Sequence, residues 1–324
     1  MQTKAFAHSS RRYWILLGII YAVGIGCAIG LLSYDNPMPF GTETFWLIAQ
    51  RRLNAVLAIA LVAACQAFAT LAFQTVVNNR IVTPSIMGFE ALYRTIHTAT
   101  VFFGVAAFSH TFSMFIFQLV LMVGFSLLLY AWLLGKDMHA MLLVGIVLGG
   151  GLGSLATFMQ RLLTPSEFDL LTARLFGSIV NAQAQYFPIA IPLVIIGVAV
   201  LLFKATTLNV MALGKQAAQN LGLNYRREAL VLLVLVSILM ATSTALVGPM
   251  TFLGFLVVTL TYQLAGTEDH RYLLPLAFGL AFAILTSAYF VLNHVFYAQG
   301  VVSVIIELVG GLVFLLVLLR KGTL

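Results

Sequence analysis

Long apolar segments recur from one end of this chain to the other, and their length constrains the fold more than any other feature. Many run for about 18 to 22 residues, the length that a helix needs to cross the hydrocarbon core of a bilayer. We predict about ten spans, over residues 13–32, 53–72, 84–106 (broken), 112–134, 140–160, 188–203, 229–247, 249–264, 273–293 and 302–319. The chain is therefore predicted to be an all-α integral membrane protein.

Charged residues are too scarce for the surface of a water-soluble domain. They make up 8% of the 324 residues, whereas 61% are hydrophobic, and soluble domains commonly have about a quarter of charged residues. No polar stretch exceeds about 25 residues, which is too short to bury a second core. We expect a single transmembrane domain over residues 1–324, surrounded by membrane lipid.

The positions of the basic residues predict how the spans are oriented. If the N-terminus is cytoplasmic and the spans alternate, the cytoplasmic side collects most of the lysine and arginine residues, as cytoplasmic loops usually do. These residues are Lys4, Arg11, Arg12, Arg80, Lys136, Lys204, Lys215, Arg226, Arg227, Arg271, Arg320 and Lys321. An even number of spans then places both termini in the cytoplasm. The net charge of +7 is explained by these loops, so we expect no nucleic-acid partner.

Three charged residues fall inside predicted spans. Glu90 and Arg94 are four residues apart, with His97 on the same helix face. Because a lone charge in hydrocarbon is costly, we interpret Glu90 and Arg94 first as a structural ion pair and second as an ion or proton relay. Glu307 has no such partner on its own span, so we predict that it points into the bundle or a subunit interface rather than towards lipid.

The motifs of bound cofactors and of catalysis are missing from the sequence. Gly145, Gly149 and Gly153 recur every fourth residue in an apolar span, which favours close helix packing over phosphate binding. The Lys-Ser/Thr ending of a nucleotide-binding loop is absent. The six histidines lack metal-ligand spacing, and no nucleophile–base motif occurs. We therefore expect no metal site, no cofactor and no catalytic residue in this chain.

One polar loop, residues 204–228, is the longest on the predicted cytoplasmic side. Its mixture of amide, basic and small residues predicts short helices that lie under the membrane, with Gly222 as a helix stop. Such a loop suits a contact with a separate protein that supplies force.

A stretch after the second predicted span resembles a known signature. Residues 74–88 read Q-T-V-V-N-N-R-I-V-T-P-S-I-M-G. This resembles the Q-x-x-x-x-N-P-L-x-x-P-x-x-x-G signature of the iron-siderophore and vitamin B12 permeases, the membrane subunits of type II ABC importers. Gln74, Asn79, Pro84 and Gly88 match, whereas Arg80 stands where that family usually has proline. The residues of this stretch are similar to those of the branch of the family that imports ferric siderophores.

Three further stretches agree with this family in order and spacing. Residues 52–55 stand in the place of its R-L-P-R motif, and residues 248–254 are similar to G-x-I-x-F-x-G, followed by His270-Arg271. Residues 213–222 are similar to L-G-x-x-x-A-x-x-L-G, the loop that couples the permease to its ATPase. The resemblance thus implies that coupling is made by Gly214, Lys215, Gln216, Ala217, Ala218, Gln219, Asn220 and Gly222.

The resemblance also implies two further sets of site residues. Arg51 and Arg52 are expected to dock a substrate-carrying protein, with anchoring at lipid headgroups as the alternative. Residues 174–182 are similar to the W-x-x-G-S-L segment of the family. Ser178 and Asn181 in this segment are therefore expected to line the external half of the translocation pathway.

The function implied is that of a permease subunit that moves a ferric siderophore across the bacterial inner membrane by alternating access. Its implied partners are an ATPase dimer that binds ATP and Mg, a periplasmic or lipid-anchored siderophore-binding protein, and a second permease subunit, identical or related. One alternative is an ion-coupled secondary transporter that uses the charges at Glu90, Arg94 and Glu307. The other is a membrane enzyme, which would need clustered histidines or carboxylates.

Overall fold

The computed structural model of the protein describes residues 2–34, 38, 41–104, 112–133, 138–179, 182–294 and 302–321. These residues form thirteen α-helices: α1 Gln2–Ser33, α2 Glu43–Val77, α3 Phe89–Phe102, α4 Phe112–Leu133, α5 Met138–Gln160, α6 Pro165–Leu175, α7 Phe187–Phe203, α8 Ala205–Met211, α9 Lys215–Asn220, α10 Tyr225–Val247, α11 Leu253–Ala265, α12 His270–His294 and α13 Val302–Lys321. Short 3-10 turns occur at Pro84–Met87 and Ala184–Tyr186. The described part of the chain has no β-strand, which confirms the predicted all-α class.

Most of the predicted spans correspond to helices that suit a membrane. Among the described residues, six helical segments are long and apolar enough to cross one: Arg11–Ser33, Glu43–Val77, Leu143–Gln160, Ala184–Phe203, Tyr225–Val247 and His270–His294. Shorter apolar helices lie at Phe112–Leu128, Leu253–Ala265 and Ser303–Leu312. The second span is longer than predicted, because Thr42 caps α2 well before the apolar run, its side-chain oxygen accepting a hydrogen bond from the N–H of Phe45.

The break predicted in the third span is present, and its cause is visible in the backbone. Pro84 begins a 3-10 turn that ends at Gly88, and α3 starts at the next residue. Gly88 has a φ of 96°, a conformation that residues with a side chain rarely adopt. The third predicted span therefore begins with a 3-10 turn and continues as a short helix that ends at Phe102.

Helix α2 is the centre of the bundle. It packs against α1, α7, α10, α11 and α12. Two long-range hydrogen bonds fix its antiparallel partner α10: Gln66 Nε2 donates to Ser243 Oγ at 3.1 Å, and the hydroxyl of Tyr225 donates to the carbonyl of Val76 at 2.8 Å. Both bonds are buried, so polar as well as apolar contacts stabilise the core of the molecule.

The ends of the helices define two sides of the molecule. Helix α1 runs along α12 in the same direction, since the hydroxyl of Tyr13 donates to the carbonyl of Tyr272 at 2.9 Å and that of Tyr21 to Pro275 at 3.1 Å. The start of α12 thus lies beside Tyr13 of α1, and it lies beside the end of α2, where His270 Nε2 is 2.8 Å from the hydroxyl of Thr75. Helices α8 and α9 lie on this same side, because α10 begins directly after them at Tyr225. We call it the α8–α9 side.

Helix α6 is a short, largely exposed helix that follows α5. A capping box starts it: the backbone N–H and hydroxyl of Thr164 donate to the carboxylate of Glu167 at 2.9 and 2.8 Å. These two hydrogen bonds stabilise the ionised carboxylate and hold the pKa of Glu167 below its ordinary value. The helix contacts α3, and the segment after it leads back to the bundle at Ser178.

Candidate functional site

The loop predicted to contact an ATPase folds as two short helices on the α8–α9 side. Helix α9 is bracketed by two glycines with positive φ, Gly214 at 92° and Gly222 at 85°. The N–H of Ala218 donates to the carbonyl of Gly214, and the N–H of Leu223 donates to that of Ala218. Glycine permits both reversals without strain, so the backbone is held as a compact, projecting unit.

Side chains of this unit divide into an outer and an inner face. Ala218 is completely buried, while Lys215, Gln216, Gln219 and Asn220 are exposed. Two large apolar side chains, Leu213 and Leu221, are 63% and 64% exposed beside them. We call the exposed set Leu213, Lys215, Gln216, Gln219, Asn220 and Leu221 the α9 surface. Apolar side chains within a polar rim are typical of a surface that binds another protein.

An ion pair closes the loop where it joins the membrane-spanning helices. Lys204 Nζ lies 2.5 Å from Glu228 Oε2, and both side chains are mostly buried. Lys204 ends α7 and Glu228 lies in the first turn of α10. The two ends of the segment are thus held together.

A second polar site lies inside the membrane-spanning part, at the start of α3. The hydroxyl of Thr251 donates to Glu90 Oε2 at 2.7 Å. The other carboxylate oxygen, Oε1, is buried and has no hydrogen-bond partner among the described residues. The ion pair expected between Glu90 and Arg94 is not formed within 4.0 Å in the described part of the chain. A hydroxyl from the turn before α11 takes its place, a contact that spacing along the sequence does not reveal.

The other two intramembrane charges lie around Glu90. The side chain of Arg94 is exposed and that of Glu307 is partly buried. Arg94 and Glu307 lie near enough to Glu90, and to each other, for their charges to interact without direct contact. Residues from α3 and α13 therefore share one polar region, which we call the Glu90 cluster (Glu90, Arg94, Thr251 and Glu307). In contrast, His97 points elsewhere, with its Nε2 at 3.1 Å from Gln118 Oε1 on α4.

Glycines let the backbone approach closely next to the Glu90 cluster. A Cβ added at Gly149 of α5 would lie 3.2 Å from the Cα of Gly88. The carbonyl of Gly145 lies on the same side, 3.6 Å from the position of a Cβ on Gly88. Of the three glycines that recur every fourth residue on α5, Gly145 and Gly149 therefore pack closely against Gly88 as predicted, whereas Gly153 faces open space.

The segment expected to line the external half of a pathway meets the end of α10. The N–H of Ser178 donates to the carbonyl of Val247 at 2.8 Å, and the N–H of Ser303 donates to Gly177 at 3.3 Å. A Cβ added at Gly177 would lie 2.2 Å from the carbonyl oxygen of Pro249, so glycine is required there. Asn181 lies outside the described residues, and the role of both residues stays a prediction.

Arg52 lies on the side opposite α8 and α9 and contacts the end of α1. Its Nη1 donates to the carbonyls of Leu31 and Tyr34 at 3.2 and 2.7 Å. This arrangement caps the C-terminus of α1, a favourable place for a cation. Arg52 also lines a cavity of about 380 Å³ together with Asn293 and His294. The side chain of Arg51 is outside the described part, and docking by either arginine stays a prediction.

Metal binding was not expected from the sequence. Among the described residues there is no group of three or more His, Cys, Asp and Glu side chains that suits a metal ion. The two cysteines, Cys27 and Cys65, are free.

Comparison with known proteins places this arrangement in a family. The chain matches the FecCD transport family over residues 13–320. It is 53% identical over 322 residues to the petrobactin import system permease protein FatC of Bacillus anthracis, a match that covers 97% of this chain and 91% of FatC. It is 36% identical over 316 residues to the petrobactin import system permease protein YclO of Bacillus subtilis (strain 168), covering 95% and 96% of the two chains.

A solved structure shares the fold. It is an inward-facing conformation of a metal-chelate type ABC transporter, with a TM-score of 0.82 and 21% sequence identity, and the match covers 95% of this chain and 99% of that chain. The predicted permease architecture is thereby confirmed. Since the family match spans nearly the whole sequence, the protein belongs to the FecCD transport family.

Proposed function

We propose that this chain is the permease subunit of an ATP-driven importer that carries a ferric siderophore across the bacterial inner membrane. The observation that carries the proposal is the 53% identity, over 97% of the chain, to a permease named for petrobactin import. The second relative, 36% identical, is also named for petrobactin import. Ferric petrobactin is therefore the substrate to test first.

The α9 surface supports a motor that is a separate protein. It projects from the side where α7 ends and α10 begins, and it combines exposed leucines with exposed amide groups and Lys215. An ATPase dimer docked there would hold ATP and Mg, and its closure would push on α8 and α9. Alternating access then follows from two arrangements of the helices, each favoured by a different nucleotide state.

The Glu90 cluster supports a pathway that runs along the face formed by α3, α11 and α13. Charged groups inside a membrane protein usually face the interior of a bundle or a water-filled cavity. Arg94 is exposed in the isolated chain, so a second permease subunit, identical or related, would enclose it. In this arrangement Glu307 would lie at the subunit boundary, and Ser178 would line the pathway on the side away from α8 and α9. Asn181, which lies outside the described residues, is assigned to the same stretch from the sequence alone.

The orientation of the protein follows from the same assignment. The α8–α9 side carries Lys204, Lys215, Arg226 and Arg227, and basic loops favour the cytoplasmic side. Both termini would then be cytoplasmic. Arg51 and Arg52 would face the other side, where a periplasmic or lipid-anchored siderophore-binding protein delivers the chelate.

Transport by the reconstituted protein tests the proposal. The permease is placed in proteoliposomes with its ATPase, its second permease and its binding protein, and ferric petrobactin labelled with radioactive iron is supplied. We expect uptake that requires ATP and persists when a proton ionophore collapses the ion gradient. Uptake that needs the gradient and not ATP would identify a secondary transporter instead.

A variant of the α9 surface tests the docking of the motor. Replacing Leu221 with Asp should weaken binding of the ATPase by at least about tenfold, since a central apolar contact is lost. The control is Leu162→Asp, because Leu162 is similarly exposed at 58% but follows α5 on the other side. Ala218 is a poor choice for this test, since it is completely buried and a larger side chain there would disturb the packing of α9 itself. Equal binding of both variants to the ATPase would contradict the assignment.

A further inference from the structure

A network of four polar residues joins α8 to the bundle through Asn209, which lies outside the stretches that resemble the family motifs. Both the amide oxygen and the amide nitrogen of Asn209 on α8 form hydrogen bonds there. Its Oδ1 accepts from the backbone N–H of His270 at 2.8 Å, and its Nδ2 donates to Asp269 Oδ1 at 2.7 Å. His270 is the first residue of α12. The side chain of Asn209 thus satisfies the start of another helix, a role that a residue next to the helix in sequence usually takes.

His270 extends this connection into the core. Its Nδ1 lies 2.7 Å from Oδ1 of Asn209, and its Nε2 lies 2.8 Å from the hydroxyl of Thr75 on α2. An amide oxygen only accepts hydrogen bonds, so Nδ1 carries a proton and Nε2 faces Thr75. Both His270 and Thr75 are buried. We call Thr75, Asn209, Asp269 and His270 the Asn209 junction.

Asp269 completes the junction at its solvent-facing edge. Burial raises the pKa of its carboxyl, but hydrogen bonds from Asn209 and from the N–H of Arg271 outweigh this and lower the pKa below its ordinary value. The carboxylate therefore stays ionised at neutral pH. An ionised acceptor makes the bond to Asn209 a strong one, and a negative charge at the start of α12 is favourable for the helix.

Other contacts of this loop lead to different places. Lys204 and Glu228 join α7 to α10, and the backbone bonds around α9 stay within the loop from Gly214 to Leu223. The Asn209 junction instead links α8 to two of the long spanning helices, α12 and α2. Helix α2 is the centre of the bundle, so the junction gives α8 a polar connection to the core, beside the apolar contacts of its buried Leu208 and Met211.

We propose that the Asn209 junction transmits the movement of the coupling helices to α12 and α2, with Asn209 and Thr75 as positioning residues for transport. This inference rests on the proposed function, because it needs a motor that moves α8. It predicts that breaking the junction separates ATP hydrolysis from transport. A merely structural role for these residues predicts that both activities fall together.

The experiment compares two substitutions with two matched controls in the reconstituted importer. Thr75→Val removes the hydroxyl that meets His270. Thr261→Val is its control, since Thr261 is also buried and, like Thr75, bonds a carbonyl of its own helix, but it does not meet His270. Asn209→Ala removes the amide, and Asn224→Ala is its control, since Asn224 caps the start of its own helix α10 by accepting from the N–H of Arg227.

The measured quantity is the amount of ferric petrobactin transported for each ATP hydrolysed. We expect this ratio to fall at least about fivefold in Asn209→Ala and about two- to fivefold in Thr75→Val, while ATP hydrolysis continues. Both controls should keep the wild-type ratio, and Thr75→Ser, which retains the hydroxyl, should restore it. Wild-type ratios in Asn209→Ala and Thr75→Val would overturn the inference.

Three other outcomes also decide the matter. If Asn209→Ala fails to assemble with its partners, the smaller change Thr75→Val decides alone. If the wild-type complex shows no ATP-dependent uptake, the proposed function fails, and this is seen before any variant is compared. Parallel loss of hydrolysis and transport in both variants would reject transmission in favour of a structural role.

Discussion

Helices α2 and α5 are both predicted spans, yet they hold opposite places in the molecule. The most apolar window of α2 has a mean hydropathy of 2.3 and is 83% buried, whereas that of α5 has a mean hydropathy of 1.5 and is 17% buried. The interior helix carries polar side chains on its buried face, among them Gln66, Thr70, Gln74 and Thr75. The peripheral helix exposes large apolar ones, including Leu143, Val147, Leu155 and Phe158.

Hydropathy selects spans but does not rank them by depth in the protein, since the Arg11–Ser33 segment of α1 has a mean hydropathy of 2.5 and, like α5, is only 17% buried. Lipid tails are as apolar as leucine, so a leucine gains little by turning inward. Small residues and hydrogen bonds decide which helix becomes the centre. Helix α2 has many alanines and meets Gly254 of α11 and Ser243 of α10, while much of α5 faces away from the described residues. Three pairs of substitutions test this explanation.

The largest effect is expected where a glycine lets α11 approach α2. A Cβ added at Gly254 would lie 2.1 Å from Thr70 Oγ1. Gly254→Ala should therefore overpack the contact and destabilise the protein by about 2 kcal/mol, seen as a lower melting temperature in detergent. Gly151→Ala on α5 is the control, because nothing lies within 4 Å of its Cβ position. Equal losses at the two sites would break the comparison.

A smaller loss should follow when a polar bond of α2 is removed. Gln66 Nε2 donates to Ser243 Oγ across the buried α2–α10 contact. Gln66→Leu leaves that hydroxyl without this partner and should cost about 1 kcal/mol, measured by chemical or thermal unfolding. On α5, the hydroxyl of Ser154 returns to the carbonyl of Gly150 in its own helix and is exposed. Ser154→Ala should leave the stability unchanged. A loss of stability as large as that of Gln66→Leu would argue against the idea that buried hydrogen bonds distinguish α2 from α5.

The smallest change in stability is expected at the inward contact of α5 itself. Gly149→Val places a side chain against Gly88, which precedes Glu90 by two residues. The periphery can yield, so the loss of stability should stay below about 1 kcal/mol. Transport should nevertheless fall, because the turn that positions Glu90 is pushed aside. Gly153→Val, at an open position, should leave transport unchanged; if it does not, the effect is not specific to the Gly88 contact.

Much of the fold was predictable because it depends on local properties of the chain. The predicted spans over 112–134, 188–203 and 302–319 differ from the observed helices by two residues or fewer at either end. Apolar length, glycine and proline set these limits without help from distant residues. The α8–α9 loop was predictable for the same reason, since Gly214 and Gly222 mark the ends of α9.

The polar sites were only partly predictable, because their partners are distant in the sequence. The Glu90 cluster includes Thr251, 161 residues away from Glu90, so spacing on α3 suggested Arg94 as the partner instead. The Asn209 junction spans 61 residues between Asn209 and His270 and 195 between Thr75 and His270. A signal existed in each case, namely a polar side chain within or next to an apolar segment, but it did not name the partner.

The sequence by itself determined that this protein is a bundle of membrane-spanning helices with one projecting loop, and its motifs led to the permease family. Apolar length and helix-ending residues act within one segment, so they can be read without coordinates. The tertiary structure decided that α2 is the central helix, that Arg52 caps the end of α1 and that the side chain of Asn209 caps the start of α12. Each of these depends on hydrogen bonds and close approaches between segments, and such contacts exist only after the helices have packed.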